Sequence, residues 1–132
     1  MRVDLAVLAD YAAMTADQKL LIVGVFDTVW LGSFPATYPS IYLALRVIVG
    51  PDDQGDHQLD LRLADPKGDQ LVALRADFSV KPPDAGDEAG ALQLVLQFGN
   101  VEFKEPGLHA VDILIDDRFE ETVPLRLRER PS

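Results

Sequence analysis

A series of short apolar runs, cut at regular intervals by turn residues, extends from Lys19 to the end of the chain and restricts the folds open to it. Leu59, Leu61 and Leu63 alternate with polar or small residues, the period of two expected when one face of a strand meets the core. The runs at 19–31 and 41–49 are rich in β-branched and aromatic residues, which suit a pleated surface. No helical pattern is long enough to connect parallel strands, so the sequence predicts an all-β protein.

The turns between these runs have recognisable chemistry. Residues 65–68, Asp-Pro-Lys-Gly, have the preferences of a type I turn, and Asp116-Asp117 offers a tight reversal. Gly24 predicts a bulge or a close backbone approach within one long, bent strand at 19–31, and Pro124 predicts an edge or a bulge. Residues 3–13 suit a strand or a short helix, and their alternation favours a strand.

Seven to eight strands at this spacing predict a two-sheet antiparallel β-sandwich, immunoglobulin-like or a related Greek key. A chain of 132 residues has the size of one domain, so residues 1–132 are predicted to share one core.

Charge and composition narrow the partners and the compartment. A net charge of -10 repels phosphate backbones, so the sequence predicts no nucleic-acid partner. No apolar stretch approaches the roughly 18 residues of a membrane span, and Asp4 and Asp10 interrupt the segment where a secretory signal would need apolar residues. The chain has no cysteine, which fits a reducing compartment. We therefore predict a soluble, cytoplasmic protein that does not bind membranes.

Four segments carry a family resemblance: LAVLADYA at 5–12, KLLIVGVFD at 19–27, SFP at 33–35 and PGLHAVDILID at 106–116. They resemble a family of small, uncharacterised bacterial proteins that open with a Leu-Ala-Asp strand and continue into a Gly-x-Phe-Asp strand. Gln18 stands where the family pattern favours Gly before Lys19. The resemblance implies a β-sandwich and no assigned activity.

The candidate catalytic groups are few. His57 lies beside a loop rich in Gly and Asp, and His109 lies on a strand after Pro106-Gly107, with no sequence reason for the two to meet. The Gly-x-Ser-x-Gly elbow of a serine hydrolase is missing, and no glycine-rich phosphate motif is present. A hydrolase built on strand carboxylates such as Asp27 or Asp77 ranks last. The sequence therefore predicts no enzyme, no catalytic residues and no cofactor.

Acidic loops raise the possibility of calcium, which binds six to eight carboxylate and carbonyl oxygens. None of the loops has the spacing of a dedicated calcium site, and acids in loops also keep a protein soluble, so no metal ligand is assigned. The acids concerned are Asp52, Asp53 and Asp56, then Asp84, Asp87 and Glu88, then Asp116 and Asp117.

An aromatic stretch provides the best candidate site. Aromatic side chains are favoured in cores, at the centres of protein interfaces and on sugar platforms. The candidates are Trp30, Phe34, Tyr38 and Tyr42. The first hypothesis for function is therefore a non-catalytic interaction or structural domain that binds another protein or itself. The alternative is a ligand-binding module, for calcium through the acidic loops or for carbohydrate through the aromatic residues.

Overall fold

The computed structural model describes residues 1–82 and 90–131. This part of the chain is all-β, with no α-helix and one short 3-10 helix at Pro51–Asp53. Its nine strands are β1 (Arg2–Met14), β2 (Leu20–Phe26), β3 (Thr28–Leu31), β4 (Ala36–Val49), β5 (Gly55–Ala64), β6 (Gln70–Val80), β7 (Gly90–Phe103), β8 (Gly107–Ile115) and β9 (Arg118–Glu129).

The strands form two sheets, one of them curled as a half-barrel. The four-stranded sheet has the order β2-β1-β4-β7, and all its pairs are antiparallel. The five-stranded sheet has the order β3-β9-β8-β5-β6, and its only parallel pair among the described residues is β3 with β9. β1 is a strand throughout, which confirms the preference for strand over helix at residues 3–13.

Two details of the predicted architecture are wrong. The predicted count of seven to eight strands becomes nine among the described residues, because the run 19–31 is two strands. The run breaks at Asp27, so that β2 joins the four-stranded sheet and β3 crosses to the other. Because β3 enters beside β9 in the same direction, the arrangement is not purely antiparallel. The apolar pattern continues through the break, so periodicity could not reveal it.

The turn chemistry is confirmed. The Gly68 N–H donates to the Asp65 carbonyl at 2.9 Å, and the Asp65 side chain accepts from the backbone of Lys67 and Asp69. Asp116 and Asp117 both have positive φ, 53° and 64°, which is the geometry of a two-residue type I′ hairpin between β8 and β9.

The two isolated strand signals are also explained. Gly24 has φ of 71°, and a Cβ there would lie 2.5 Å from Asp10 Oδ2. β9 begins to pair with β3 at Arg126, two residues after Pro124. At Pro124 itself, β9 is therefore an edge strand.

One hydrophobic core receives side chains from both sheets. From the four-stranded sheet it takes the inner positions of β1, β4 and β7, and from the five-stranded sheet those of β5, β6, β8, β9 and β3. Its fully buried members include Leu8, Leu43, Leu45 and Phe98 from the first sheet and Leu59, Leu61, Ile113 and Leu125 from the second. The sheets therefore turn one face each toward the same interior, and their other faces lie outside.

Candidate interaction surface

The outer side of the four-stranded sheet is mainly apolar, with polar residues at Ser40 and Arg46 of β4 and at Gln93 and Gln97 of β7. Alternation fixes which residues lie there, because their neighbours Leu8, Leu43 and Leu45 belong to the core. We call this surface the outer face. It consists of Leu5, Val7, Ala9, Tyr11 and Ala13 of β1, Leu21, Val23 and Val25 of β2, Tyr42 and Ala44 of β4, and Val95 of β7.

Strand register arranges these side chains in rows across the sheet. Val25 pairs with Ala9, which pairs with Tyr42 on its other side. One row further on, Val23 pairs with Tyr11. Ala9 is fully buried by its larger neighbours, whereas Tyr11 is 47% exposed, Val23 51% and Val25 62%. The large apolar side chains of β1 and β2 are therefore exposed to water, and they surround the small, buried side chain of Ala9.

Two tyrosines mark the middle of the outer face. The rings of Tyr11 and Tyr42 lie 5.3 Å apart at an interplanar angle of 60°, a tilted arrangement within the favourable range for aromatic pairs. Tyr42 is half-buried and Tyr11 is exposed. The pair is therefore held in place on one side and open on the other, which suits a contact with another surface.

The outer face is also nearly free of charge. Its rows contain no acidic residue, and the charged side chain at the β4 end is Arg46, which pairs with Leu5 in the register. The Arg46 guanidinium donates to Asp4 Oδ2 at 2.7 Å, so that its charge is balanced at the rim. In a chain with a net charge of -10, the acids are placed elsewhere.

The sequence carries a signal for this surface that the aromatic search missed. β2 reads LLIVGVF, without one polar side chain, although it is an edge strand. Residues of β1 are apolar on both sides of the pleat, a pattern typical of sheets covered on both faces. The period of two indicates a strand, but it does not indicate what covers the second face of that strand.

The four aromatic candidates do not share one surface. Tyr42 lies on the outer face, whereas Trp30 is on β3 in the other sheet, with the Arg128 guanidinium 5.6 Å from its ring centre. Phe34 and Tyr38 are half-buried and pack against the core. Their role as an interaction or sugar-binding site stays a prediction, and only Tyr42 joins the surface described above.

His57 forms the most developed polar cluster. Its Nδ1 lies 2.6 Å from Asp116 Oδ2, and its Nε2 lies 2.6 Å from the Asp53 carbonyl oxygen. Both partner atoms can only accept, so both ring nitrogens donate when His57 is protonated. The hydrogen bond that His57 donates to Asp116 raises the pKa of His57, and the same contact lowers the pKa of Asp116. This cluster fastens the β8–β9 hairpin to the start of β5.

The other histidine has a structural setting. His109 is buried, with its ring at 5.2 Å and nearly perpendicular to that of Phe103, and its Nδ1 lies 3.0 Å from the Gly107 carbonyl oxygen. The two histidines lie on strands β5 and β8 and their hydrogen bonds go to different residues. Asp77 is exposed on β6, and Asp27 accepts from the Thr28 hydroxyl.

Three of the acids considered for calcium, Asp53, Asp56 and Asp116, make local contacts. Asp53 Oδ2 accepts from the Gly50 N–H at 2.8 Å, and Asp56 accepts from the Ser79 hydroxyl at 2.6 Å. Within residues 1–82 and 90–131 no group of three or more His, Asp or Glu is placed to hold a metal ion. Asp84, Asp87 and Glu88 lie outside the described residues.

A search for membrane-spanning helices found none of sufficient length and apolarity in the part of the chain that the structure describes. The cytoplasmic location stays a prediction.

The solved structures that resemble this chain include a distant one. The Pseudomonas fluorescens alkylpurine DNA glycosylase AlkC, bound to DNA containing an abasic site analog, is similar at 13% identity and a TM-score of 0.48. The similarity covers 93% of this chain and 30% of that one, so the chain spans less than a third of the protein it matches. None of the curated proteins matches the chain.

Two exclusions drawn from the sequence are corrected by this finding. Net charge and missing motifs predicted that the chain is not an enzyme and has no nucleic-acid partner, and the similar protein is a DNA glycosylase bound to DNA. Net charge averages over the whole molecule, and missing motifs test only the chemistries that have motifs, so neither supports an exclusion. The likeness itself assigns no activity to this chain.

The family is shown by a match over nearly the whole chain. The model of a family of unknown function, DUF6941, matches residues 4–128. The matched range includes every strand of both sheets in whole or in large part, and it includes the outer face. This confirms the resemblance to an uncharacterised family, and the chain belongs to DUF6941, a family of unknown function.

Proposed function

We propose that this chain is a protein-interaction domain and that the outer face is its binding surface. The observation that carries the proposal is the exposure of Tyr11, Leu21, Val23 and Val25, four large apolar side chains in neighbouring rows of two paired strands. Single exposed apolar residues are ordinary on a protein surface, but a contiguous patch marks a contact site.

The size of the surface supports the proposal. From Leu5 to Ala13, eight steps of about 3.4 Å give a length of about 27 Å, and four strands about 4.8 Å apart give a width of about 19 Å. This rectangle of roughly 500 Å² also contains the polar positions Ser40, Arg46, Gln93 and Gln97. The eleven apolar residues of the outer face cover about 360 Å² of it, which is within the range of the largest patches on monomers, and such patches are often functional.

We also propose that the architecture beneath this surface is a β-sandwich of the immunoglobulin-like or Greek-key type. The shared core supports this, since the inner faces of both sheets supply it. A sandwich of two packed sheets would hold the outer face rigid, so that a partner would bind it without reordering the domain.

Site-specific photo-crosslinking tests the interaction directly. A photo-crosslinking amino acid is placed at Val23 on the outer face, and in a matched chain at Phe119, which is 61% exposed on β9 of the other sheet. Both chains are irradiated in living cells. We expect a discrete protein adduct from position 23 and none, or only diffuse labelling, from position 119.

Equal labelling at the two positions would contradict the proposal, because exposure alone would then explain it. Folding of both chains is checked by circular dichroism and by a cooperative urea transition before irradiation. The mass of the adduct, less the mass of the chain, gives the mass of the partner.

A further inference from the structure

We infer that the partner of the outer face is a second copy of this chain, bound face to face about a twofold axis. The inference rests on the proposed function, since it names the occupant of the same surface. In such a dimer each copy would contribute the same patch, and the Tyr11 and Tyr42 rings would lie near its centre.

Area is the first argument for a second copy. A biological interface needs to bury about 1,000 Å² in total, counted over both partners. Two outer faces of about 360 Å² each supply about 720 Å². The polar positions beside them on the same side of the sheet, Ser40, Arg46, Gln93 and Gln97, bring the total to about 1,000 Å². Two sheets pack with their strands inclined by about 30° and about 10 Å apart, so one slightly twisted sheet is a suitable cover for another.

Charge is the second argument. Two chains of net charge -10 repel each other, and the repulsion is smallest where the surfaces in contact carry no acid. The outer face meets this condition, because its rows contain no acidic side chain and Arg46 at the rim is balanced by Asp4. A strongly charged partner would find no complementary group in these rows.

The outside of the five-stranded sheet does not meet the condition. On the outside of the five-stranded sheet, Arg75 pairs with Asp60, and the next row contains Arg62 and Asp112 side by side. Burying that face against a copy of itself would remove charges from water without new partners. Of the two outer sheet sides, the outer face is therefore the one that two copies can bury against each other with the smaller electrostatic penalty.

The test is the mass of the purified full chain in solution, measured by sedimentation over about 1 to 100 µM. We expect a dimer for the wild-type chain and for Phe119→Lys, whose side chain is exposed on the other sheet. We expect Val23→Lys to raise the dimer dissociation constant at least about 30-fold, as loss of a hot-spot contact does. Val23 is half exposed, so lysine fits there in the single chain.

A second measurement does not depend on the lysine variant folding. The chain has no native cysteine, so Val23→Cys and Phe119→Cys each carry one thiol. We expect a maleimide to label Val23→Cys more slowly as protein concentration rises, while Phe119→Cys labels at a constant rate. A labelling rate at Val23→Cys that does not change with protein concentration would overturn the inference.

Two other outcomes separate this inference from the function that it builds on. A wild-type chain that stays monomeric at about 100 µM overturns the second copy. If position 23 still crosslinks to a different protein in cells, the interaction domain stands with another occupant. A dimer that survives Val23→Lys overturns the placement, since the copies would then meet elsewhere.

Discussion

The two sheets share one core, but their outer sides differ. Across the five-stranded sheet, Asp60 accepts from Arg75, Asp112 accepts from the Thr122 hydroxyl, and Trp30 stacks beneath Arg128. Across β1 and β2 of the four-stranded sheet, the corresponding positions are valine, leucine, alanine and tyrosine. The five-stranded sheet follows the usual rule for an antiparallel sheet, apolar inside and polar outside, and the four-stranded sheet does not.

This difference shows which part of the molecule the core alone can account for. The core explains one face of every strand, and solvation explains the charged and polar positions on the outer side of the five-stranded sheet. Neither explains Tyr11, Val23 and Val25, about half of whose surface stays exposed to water in the single chain. That exposed apolar surface contributes no hydrophobic stabilisation to folding. A function in binding accounts for them.

The largest effect should be the same in both sheets. Leu43 on β4 and Leu61 on β5 are both fully buried in the shared core. We expect Leu43→Ala and Leu61→Ala each to lower the free energy of unfolding by about 2 to 5 kcal/mol, through lost burial and a residual cavity. Urea unfolding measures both. A loss confined to one variant would mean that the sheets do not depend equally on one core.

The next effect should be confined to the four-stranded sheet. At Gly24, φ is positive and Asp10 occupies the space of a Cβ, so we expect Gly24→Ala to cost more than about 1 kcal/mol in urea unfolding. Gly99→Ala is the matched control, because Gly99 lies in β7 of the same sheet with open space at its Cβ. Similar costs at both positions would show that neither strain nor crowding acts at Gly24.

A smaller effect belongs to the charged side of the five-stranded sheet. The Arg75 Nε–H donates to Asp60 Oδ1 at 2.8 Å, and the Asp60 side chain is only 7% exposed. Arg75→Ala should lower stability, because it leaves a nearly buried carboxylate without its cation. The loss should be smaller than in the core truncations, because the Arg75 side chain is 62% exposed and water screens the pair. Arg62→Ala, on the neighbouring row, is the control and should change little.

The double variant Asp60→Asn with Arg75→Ala extends this test. Removing the charge together with its partner should recover part of the stability lost in Arg75→Ala, since a neutral amide is less costly to bury. If the double variant is the less stable of the two, the pair does not act through the buried charge.

Much of the fold could be predicted from local signals. Alternation at Leu59 to Leu63 and turn chemistry at Asp65 and Asp116 identify strands and hairpins because each depends only on neighbouring residues. The break at Asp27 could not be predicted, because crossing between sheets depends on what each half of the run pairs with. The parallel pairing of β3 with β9 joins residues about a hundred positions apart.

The candidate site was harder to predict for a related reason. A search for aromatic residues finds Trp30 and Tyr42 close in sequence, but the path of the chain places them on different sheets. Tyr11 and Tyr42 meet only through the pairing of β1 with β4. The His57 cluster likewise joins β5 to a turn 59 residues further on. Contacts between distant strands define each of these groups.

The smallest expected effect concerns pH and separates the fold from the binding surface. His57 has a raised pKa, so its ion pair stabilises the folded chain fully below about pH 6.5. That contribution is lost as pH rises through the raised folded pKa. Asp116 has a lowered pKa, so its contribution to the stability of the folded chain is lost as pH falls below about 4. The cluster therefore contributes most between these limits.

We expect the stability difference between wild type and His57→Gln to be largest near pH 5 to 6 and to shrink toward pH 9, as urea unfolding at several pH values would show. Glutamine keeps hydrogen-bond donors but carries no charge, so the part of the stability difference that varies with pH reports the charge of His57. The cluster lies at the β8–β9 turn, and none of its residues belongs to the outer face. Association measured by sedimentation should accordingly be the same for both chains across this range. A difference in stability that does not vary with pH would show that His57 stabilises the hairpin by packing against Phe78 and not by its charge.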